Sequence, residues 1–265
     1  MKEISLEELK QIEYDILLSI DNFCQDNNLI YYLWGGTLLG AVRHHGFIPW
    51  DDDIDVVMPR KDYEIFIRKY NTPIYGVYSS ETNKNYPYIF AKAFDKRTRK
   101  IEPIRYSNQF SIGVDVDIFP LDAYDNNKSY PRLVRNRRIM LDLWRWSITE
   151  PSKIKSLHDI GKNILIYSLK TLSNQLSRRI NDLSRNIDSN DKIMLSADSN
   201  IDEPLIFSKN WFGNGIKLIF ENHEFICPIE YDKVLWKCYG NYMELPPKEK
   251  RVPHHTSVIM WKEGA

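Results

Sequence analysis

The chain has 265 residues, and its 36 basic and 36 acidic side chains leave no formal net charge. A hydrophobic content of 43% and a charged content of 27% are typical of a soluble globular protein rather than a disordered one. No segment approaches the roughly 18 apolar residues of a membrane span, and the N-terminus lacks an apolar run of signal-peptide length. The three cysteines are widely spaced and form no CxxC pair, so we expect a cytoplasmic protein with reduced thiols.

The first predicted elements are a helix, a strand and a second, short helix. Ser5 and Glu8 match a capping box, and apolar residues then recur at spacings of three and four as far as Phe23. Residues 29–34 are mostly β-branched and aromatic and predict a strand, which ends at a Gly-Gly-Thr turn at residues 35–37. The apolar residues after that turn predict the short helix.

More strands and a further helix complete the first 120 residues. Residues 53–58 predict a strand, and residues 59–62 precede a predicted helix that contains Tyr63, Phe66, Ile67 and Tyr70. Three more strands are predicted at residues 74–79, 88–94 and 114–119. Because this part mixes helices with strands, we predict an α+β fold with a mixed sheet flanked by helices. From about residue 128 to 186 the pattern is helical, and short strands and a helix follow.

The charge is distributed unevenly along the chain. Between residues 126 and 185 there are 13 lysines and arginines against 4 acidic residues, so the remainder is acidic. Residues 130–155 interleave Trp144 and Trp146 with the arginines Arg132, Arg135, Arg137, Arg138 and Arg145. On a helix this predicts a basic face beside an apolar face, which suits a lipid headgroup layer or an anionic polymer. The alternative is a plain helical subdomain whose apolar residues pack inward; no motif indicates a nucleic-acid partner.

A cluster of carboxylates lies in the sequence IPWDDDID at residues 48–55. If residues 53–58 form a strand, Asp53 and Asp55 share one face, because side chains alternate along a strand. Two carboxylates so close together repel each other, and when partly buried they either bind protons or recruit a cation. Mg²⁺ is commonly held by one or two carboxylates together with substrate phosphates. The alternative interpretation of Asp51–Asp53 is a solvated acidic loop or a helix cap.

The Gly-Gly-Thr turn and a second acidic strand complete the pattern. Gly36 lies 17 positions before Asp53, and glycines at a helix N-terminus allow backbone N–H groups to approach a phosphate. A strand, a small-residue turn, a short helix and a strand bearing Asp-x-Asp resemble the arrangement in nucleotidyltransferase-fold enzymes. That fold needs a third carboxylate from a neighbouring strand, and residues 113–122 offer Asp115 and Asp117 on one face.

The sequence resembles the LicD family of phosphotransferases, which includes fukutin and the fukutin-related protein. Three blocks carry the resemblance: YYLWGGTLLGAVRHHGFIPWDDDIDVVMPRKDYEIF at residues 31–66, GVDVDIFPLD at 113–122 and YGNYMELPPKEKRVPHH at 239–255. The resemblance implies a nucleotidyltransferase-like fold and transfer of a phospho-alcohol, such as phosphocholine or phosphoribitol, from a cytidine diphosphate donor. The acceptor would be a glycan hydroxyl, and CMP would leave. The helical middle of the chain matches none of these blocks.

The resemblance also implies roles for individual residues. Asp53, Asp55 and Asp117 stand at the positions of catalytic carboxylates that hold Mg²⁺ or Mn²⁺, and Asp51 matches another acidic position. Asp115 stands where an apolar residue is expected and competes with Asp117 for the role of third ligand. A further set of residues is expected to contact substrate, and Lys92 is added to it for its charge alone. The set is Gly35, Gly36, Thr37, Arg43, His44, Lys92, Arg251 and either His254 or His255.

We expect one LicD-like domain over residues 1–265. It would comprise a nucleotidyltransferase-like core at 1–125, a basic helical insertion at 126–200 and a part at 201–265 that completes the active site. Expected partners are a CDP-alcohol donor and a glycan acceptor such as a capsule, teichoic acid or lipopolysaccharide precursor. A lipid-linked acceptor would place the protein at the inner face of the membrane. Two alternatives are open: a nucleotidyltransferase acting on a small-molecule hydroxyl, and a non-catalytic glycan- or membrane-binding subunit.

Overall fold

The computed structural model describes most of the chain. The described residues are 2–83, 86, 88–101, 112–123, 139–144, 146–148, 151, 153–185, 192–195, 205–252 and 258–264. The α-helices are α1 (Leu6–Asp26), α2 (Gly35–His44), α3 (Arg60–Lys69), α4 (Leu157–Lys170), α5 (Ser173–Arg185) and α6 (Tyr231–Tyr239). The β-strands are β1 (Tyr32–Leu33), β2 (Asp55–Pro59), β3 (Tyr75–Tyr78), β4 (Ala91–Asp95), β5 (Thr98–Ile101), β6 (Asp115–Ala123), β7 (Lys192–Leu195), β8 (Ile206–Ser208), β9 (Ile216–Phe220), β10 (His223–Cys227) and β11 (Val258–Trp261).

One mixed sheet organises the described core. Its strands lie in the order β1-β2-β6-β4-β3, and β7 and β8 extend it from β6. β2 and β6 run parallel, whereas the other strand pairs of this sheet run antiparallel. β9 pairs with β10 and β5 pairs with β11 outside this sheet. Helices pack against the sheet, so the predicted α+β class with a mixed sheet is confirmed.

Helix α1 covers β6, the strand that carries Asp115 and Asp117, and the neighbouring strand β4. Its N-terminus is the predicted capping box: the Glu8 N–H donates to the Ser5 hydroxyl, and the Glu8 carboxylate accepts from the Ser5 N–H. Ile16, Leu17 and Ile20 are fully buried, and the helix contacts β4 and β6. The spacing of these residues places them on one face, which packs on the sheet.

Helix α2 and the loop after it fix the position of the acidic residues. The helix is followed by His45 in the left-handed region, with φ of 57°. Gly46 then passes so close to Gly40 that a side chain at Gly40 would collide with the Gly46 carbonyl. At the other end of the loop, the Asp55 N–H donates to the Thr37 hydroxyl at 2.8 Å. The loop that carries the carboxylates is therefore held against α2 at both ends.

Several strand boundaries differ from the prediction, and three of them bear on the site. β1 is shorter than residues 29–34, β2 begins at Asp55 instead of residue 53, and β6 continues past Pro120. Asp53 thus lies before the strand, so alternation along a strand does not explain its position. Pro120 is tolerated because it lies where β6 has no antiparallel partner: pairing with β4 ends at Ile118, and pairing with β7 starts at Leu121.

The middle of the chain is helical in α4, α5 and residues 139–144 and 146–148, but it also supplies a strand. β7 lies within the predicted insertion at 126–200 and joins the central sheet against β6. Trp144 is buried in a cluster with Ile89 and Ile180. It packs inward, as the alternative interpretation of this stretch predicts, and does not lie on an exposed face. The arginines at 132, 135, 137, 138 and 145 lie outside the described residues. In the part of the chain that the structure describes, no helix is long and apolar enough to cross a bilayer.

Candidate active site

The parallel strand pair brings two carboxylates side by side. Asp55 and Asp117 are register partners on β2 and β6. The Asp117 N–H donates to the Ile54 carbonyl at 3.0 Å, which fixes that register. Burial, together with the charges of Asp53 and Asp117, raises the pKa of Asp55 well above its ordinary value. The site therefore concentrates negative charge that either a proton or a cation would neutralise.

A buried lysine connects Asp115 and Asp117 of β6. Lys92 donates to Asp115 and to Asp117, each at 2.5 Å, and Lys100 donates to Asp115 at 2.9 Å. Burial opposes the charged form of Lys92, but the charges of Asp115 and Asp117 raise its pKa well above the usual range. Lys92 was expected to contact phosphate because of its charge alone. The structure places its amine inside the carboxylate cluster, and contact with phosphate stays a prediction.

Asp115 and Asp117 have different surroundings. Both oxygens of Asp115 accept from lysines, and these charges hold its pKa well below the usual range although burial opposes them. Burial raises the pKa of Asp117 to about 6, with Asp115 adding to the effect and Lys92 opposing it. The Asp117 side chain is 24% exposed and that of Asp115 is 2% exposed. Asp117 is thus the one of the two that a ligand can reach.

Three consecutive carboxylates form what we call the acidic loop, Asp51–Asp53. One oxygen from each lies within 4.8 Å of the others. Mg²⁺ and Mn²⁺ prefer such oxygen ligands, so the residues fit the predicted cation. Of the predicted ligands Asp53 belongs to this group, whereas Asp55 and Asp117 lie beside it on the strands. The sequence interpretation left Asp52 out of the site altogether.

The Gly-Gly turn leaves room for these carboxylates. Gly35 has φ of +55°, and a Cβ there would lie 2.8 Å from Oδ2 of Asp55. A Cβ on Gly36 would collide with Oδ2 of Asp51. Both glycines are therefore required by the close approach of carboxylates, a reason that the sequence did not indicate. The predicted approach of a phosphate to the same backbone stays a prediction.

Two arginines from distant parts of the chain meet beside the acidic loop. Arg43 donates to the Tyr242 carbonyl at 2.7 Å and to Nε2 of His44 at 3.0 Å. Burial and the nearby charge of Arg251 lower the pKa of Arg43. The Arg251 guanidinium lies 5.5 Å from the ring centroid of Trp50, which directly precedes the loop. Two mutually repelling cations, brought together by α2 and the C-terminal part, form a basic patch suited to an anionic ligand.

Not every predicted residue can be placed. His44 lies between Arg43 and Trp50, and burial together with the Arg43 charge lowers its pKa. His254 and His255 lie outside the described residues. The predicted substrate contacts within the described residues form two groups. Gly35, Gly36, Thr37 and Lys92 lie at the carboxylates, and His44 lies with Arg43 and Arg251.

Glu13 is a site neighbour that the sequence interpretation missed. It is buried on α1, its Oε2 makes no hydrogen bond among the described residues, and burial raises its pKa well above the usual range. Lys100, Asp115 and Asp53 are among the charges that act on it. A signal was present, because Glu13 interrupts the apolar face of α1, where a charged residue is unusual.

Comparison with known proteins identifies the family. Residues 28–144 match the sequence profile described as LicD/FKTN/FKRP, nucleotidyltransferase domain. The lipopolysaccharide cholinephosphotransferase LicD of Haemophilus influenzae is 31% identical over 266 residues, which cover 96% of this chain and 97% of that protein. The chain belongs to the LicD family. An uncharacterised protein of Rickettsia typhi is 30% identical over 138 residues, covering 49% of this chain and 41% of that protein.

The LicD match covers the central features of the site. It includes the Gly-Gly turn, Arg43, the acidic loop and the β6 carboxylates, whereas Glu13 and Arg251 lie outside residues 28–144. The alignment with the Haemophilus relative extends over nearly the whole chain. The prediction of a LicD-type phosphotransferase from three short blocks is therefore confirmed.

Proposed function

We propose that this protein transfers a phospho-alcohol of the phosphocholine type from a CDP-alcohol to a hydroxyl of a cell-surface glycan, releasing CMP. The name of the Haemophilus relative supports the phosphocholine group and a lipopolysaccharide acceptor. The observation that carries the proposal is the juxtaposition of Asp55, Asp117 and the acidic loop with the basic patch of Arg43 and Arg251. Carboxylates for a cation beside arginines for phosphate are what a diphosphate substrate requires.

A divalent cation, Mg²⁺ or Mn²⁺, would be held by Asp53, Asp55 and Asp117, with Asp51 and Asp52 close by. When bound, it would neutralise charge on the donor diphosphate and on the departing oxygen. The rigid placement of these carboxylates supports this role, because Asp55 and Asp117 are fixed by strand register and the loop is tied to α2. Preorganised ligands need little rearrangement during the reaction.

The remaining steps fall to side chains of this chain. The acceptor oxygen attacks the phosphorus that carries the alcohol, and the bond from that phosphorus to CMP breaks. Asp117 takes the proton of the acceptor hydroxyl, since it is reachable and Asp115 is occupied by two lysines. Arg43 and Arg251 bind the CMP phosphate and stabilise the charge that it gains. We propose that this occurs at the inner face of the membrane, where glycan precursors are assembled on lipid.

The test is CMP release from a panel of CDP-alcohols that includes CDP-choline and CDP-ribitol, with and without a glycan acceptor. We expect acceptor-dependent CMP release that stops with EDTA and returns with Mg²⁺ or Mn²⁺. UDP-sugars are the control donors and should yield no UMP or UDP. Transfer of a nucleotide to a small molecule would instead favour a nucleotidyltransferase. Release of no CMP from any donor, with cation present, would contradict the proposal.

A further inference from the structure

Helix α4 directs its apolar side chains away from the protein. The residues that it buries are Asn163 and Ile166. Leu157 is 87% exposed and Ile164 is 62% exposed, and the other exposed apolar residues of the helix are Ile160, Leu165 and Tyr167. A surface helix of a globular protein normally shows the reverse pattern, with its apolar stripe facing the core. This outward orientation is the feature that needs an explanation.

The exposed apolar residues form one continuous face. At about 100° per residue, these five side chains fall within roughly half of the helix circumference, opposite Ile166. Ile154 and Leu172, which precede and follow the helix in sequence, are exposed as well. Isolated exposed apolar residues are ordinary, but a contiguous apolar surface of this kind marks an interaction site.

The charges around this face are predominantly positive. Lys153 and Lys155 precede the helix and are exposed, whereas Lys162 and Lys170 lie within about 40° of Ile166, on the inward side of the helix. Lys162 lies 5.7 Å from the ring centroid of Trp146, so this pair of a cation and an aromatic ring lies on the inward side of the helix. Asp159 is the one acidic residue between 151 and 172, and its carboxylate accepts from the Lys155 N–H and the Ser156 hydroxyl in the helix cap.

We propose that the outward face of α4 docks in the plane of a lipid bilayer whose headgroups are anionic. An exposed apolar face with exposed lysines at its N-terminal end is typical of helices that lie at a membrane interface. A negatively charged leaflet attracts lysines beside the apolar contact, which is the charge complementarity that favours lipid over a neutral protein surface. The docking helix is thus α4, and it differs from the Arg-rich stretch that the sequence singled out. This proposal does not depend on the phosphotransfer chemistry.

The experiment is co-sedimentation of the full chain with vesicles of phosphatidylcholine alone or mixed with phosphatidylglycerol, at low and high salt. We expect binding to the anionic vesicles at low salt, weaker binding at high salt and little binding to phosphatidylcholine alone. Leu157→Ser combined with Ile164→Ser should lower the vesicle partition coefficient at least tenfold. The matched control is Ile216→Ser with Ile219→Ser, which removes two exposed apolar side chains from β9 and should bind as the wild type does.

A second variant keeps the helix intact. Lys153→Gln with Lys155→Gln changes the exposed residues before α4 and should weaken binding to anionic vesicles severalfold. CMP release with a soluble acceptor should survive in all of these variants, which separates docking from catalysis. The proposal fails if the wild type ignores anionic vesicles at low salt or if the α4 variant binds them normally. It also fails if the wild type is a dimer that the α4 variant dissociates, because a second copy would then cover the face.

Discussion

Lys92 and Asp117 are register partners across β4 and β6, and the lysine amine lies 2.5 Å from the carboxylate. The same amine reaches Asp115, which is two residues away on the same face of β6. A single buried cation thus holds two carboxylates together in the centre of the sheet. This arrangement makes one of them a structural residue and leaves the other accessible to a ligand.

Replacing Lys92 with Met should destabilise the fold. The change leaves Asp115 and Asp117 without their shared cation, and removing one partner of a buried ion pair costs about 3–5 kcal/mol. We expect a loss of that order in the free energy of unfolding, measured by urea denaturation at neutral pH. Lys217→Met, at an exposed position of β9, is the control and should change little.

Adding Asp117→Asn to Lys92→Met should recover part of the loss, because Asp117 loses the lysine whereas Asp115 keeps its contact with Lys100. The double-mutant cycle then gives a coupling energy between neighbours. If Lys92→Met unfolds at the wild-type urea concentration, the lysine does not hold the two carboxylates.

Asp115→Asn and Asp117→Asn should separate stability from activity. Asp115 accepts from Lys92 and Lys100, so its replacement should lower the free energy of unfolding while the folded fraction keeps measurable turnover. Asp117→Asn should lower turnover by at least about 10²-fold, since a positioned proton acceptor contributes that much or more. Turnover and urea denaturation of both variants provide the test. A greater loss of turnover in Asp115→Asn would reverse the assignment.

Gly36→Ala tests the close approach of the turn to the acidic loop. The added methyl group collides with Asp51, so the loop must shift, and we expect turnover to fall at least tenfold. Gly161→Ala is the matched control, because it also lies in a helix and its Cβ meets no atom within 4 Å. Both changes raise helix propensity equally, by about 1 kcal/mol. Equal turnover in the two variants would show that the turn tolerates a side chain.

The raised pKa of Asp117 predicts how stability depends on pH. The ordinary pKa is 3.8 and the folded value is about 6, so between these values the folded state holds a proton that the unfolded state has released. Stability contributed by this group is therefore present at low pH and is lost as pH rises from about 4 to 6. Asp55 acts in the same direction, whereas the lowered pKa of Asp115 acts in the opposite one.

The check is urea denaturation with EDTA present, at intervals from pH 4 to pH 7. The free energy of unfolding of the wild type should fall relative to that of Asp117→Asn across this interval, by at most about 3 kcal/mol. If the free energies of unfolding of the wild type and of Asp117→Asn change with pH in parallel, the raised pKa of Asp117 is contradicted. The comparison with the variant matters because other carboxyl groups titrate over the same range.

Local patterns were sufficient for the parts of the site that lie close together in sequence. The capping box of α1 and the short helix at the Gly-Gly turn each depend on a few neighbouring residues, and both are found as predicted. The position of Lys92 could not be predicted, because it depends on the register of β4 against β6, which are separated in sequence. A lysine is exposed by default, and only a pair of carboxylates on the adjacent strand makes its burial favourable.

The orientation of α4 illustrates a second limit of sequence interpretation. Its apolar spacing predicts an amphipathic helix, but spacing alone does not determine which side meets the protein. Asn163 and Ile166 pack inward because the adjoining surface accepts them, and the larger apolar face is left outside. Trp144 shows the converse, since it was assigned to an exposed face and lies in a buried cluster. Both outcomes depend on tertiary contacts.

Asp53→Asn and Asp55→Asn test the cation site itself. Each variant removes one carboxylate from the cluster. Burial and the charges of Asp53 and Asp117 raise the pKa of Asp55 in this cluster. We expect turnover to fall by at least about 10²-fold in each, the lower end of what a catalytic group contributes. We also expect the rise in melting temperature that Mg²⁺ causes in the wild type to shrink, because a ligand stabilises only the state that binds it. Glu224→Gln, at an exposed carboxylate on β10, is the control for both measurements.

Asp52→Asn tests whether the acidic loop shares the cation and should reduce the Mg²⁺ effect by less than the two main variants. Near-normal turnover with an unchanged Mg²⁺ effect in Asp53→Asn or Asp55→Asn would remove that residue from the site.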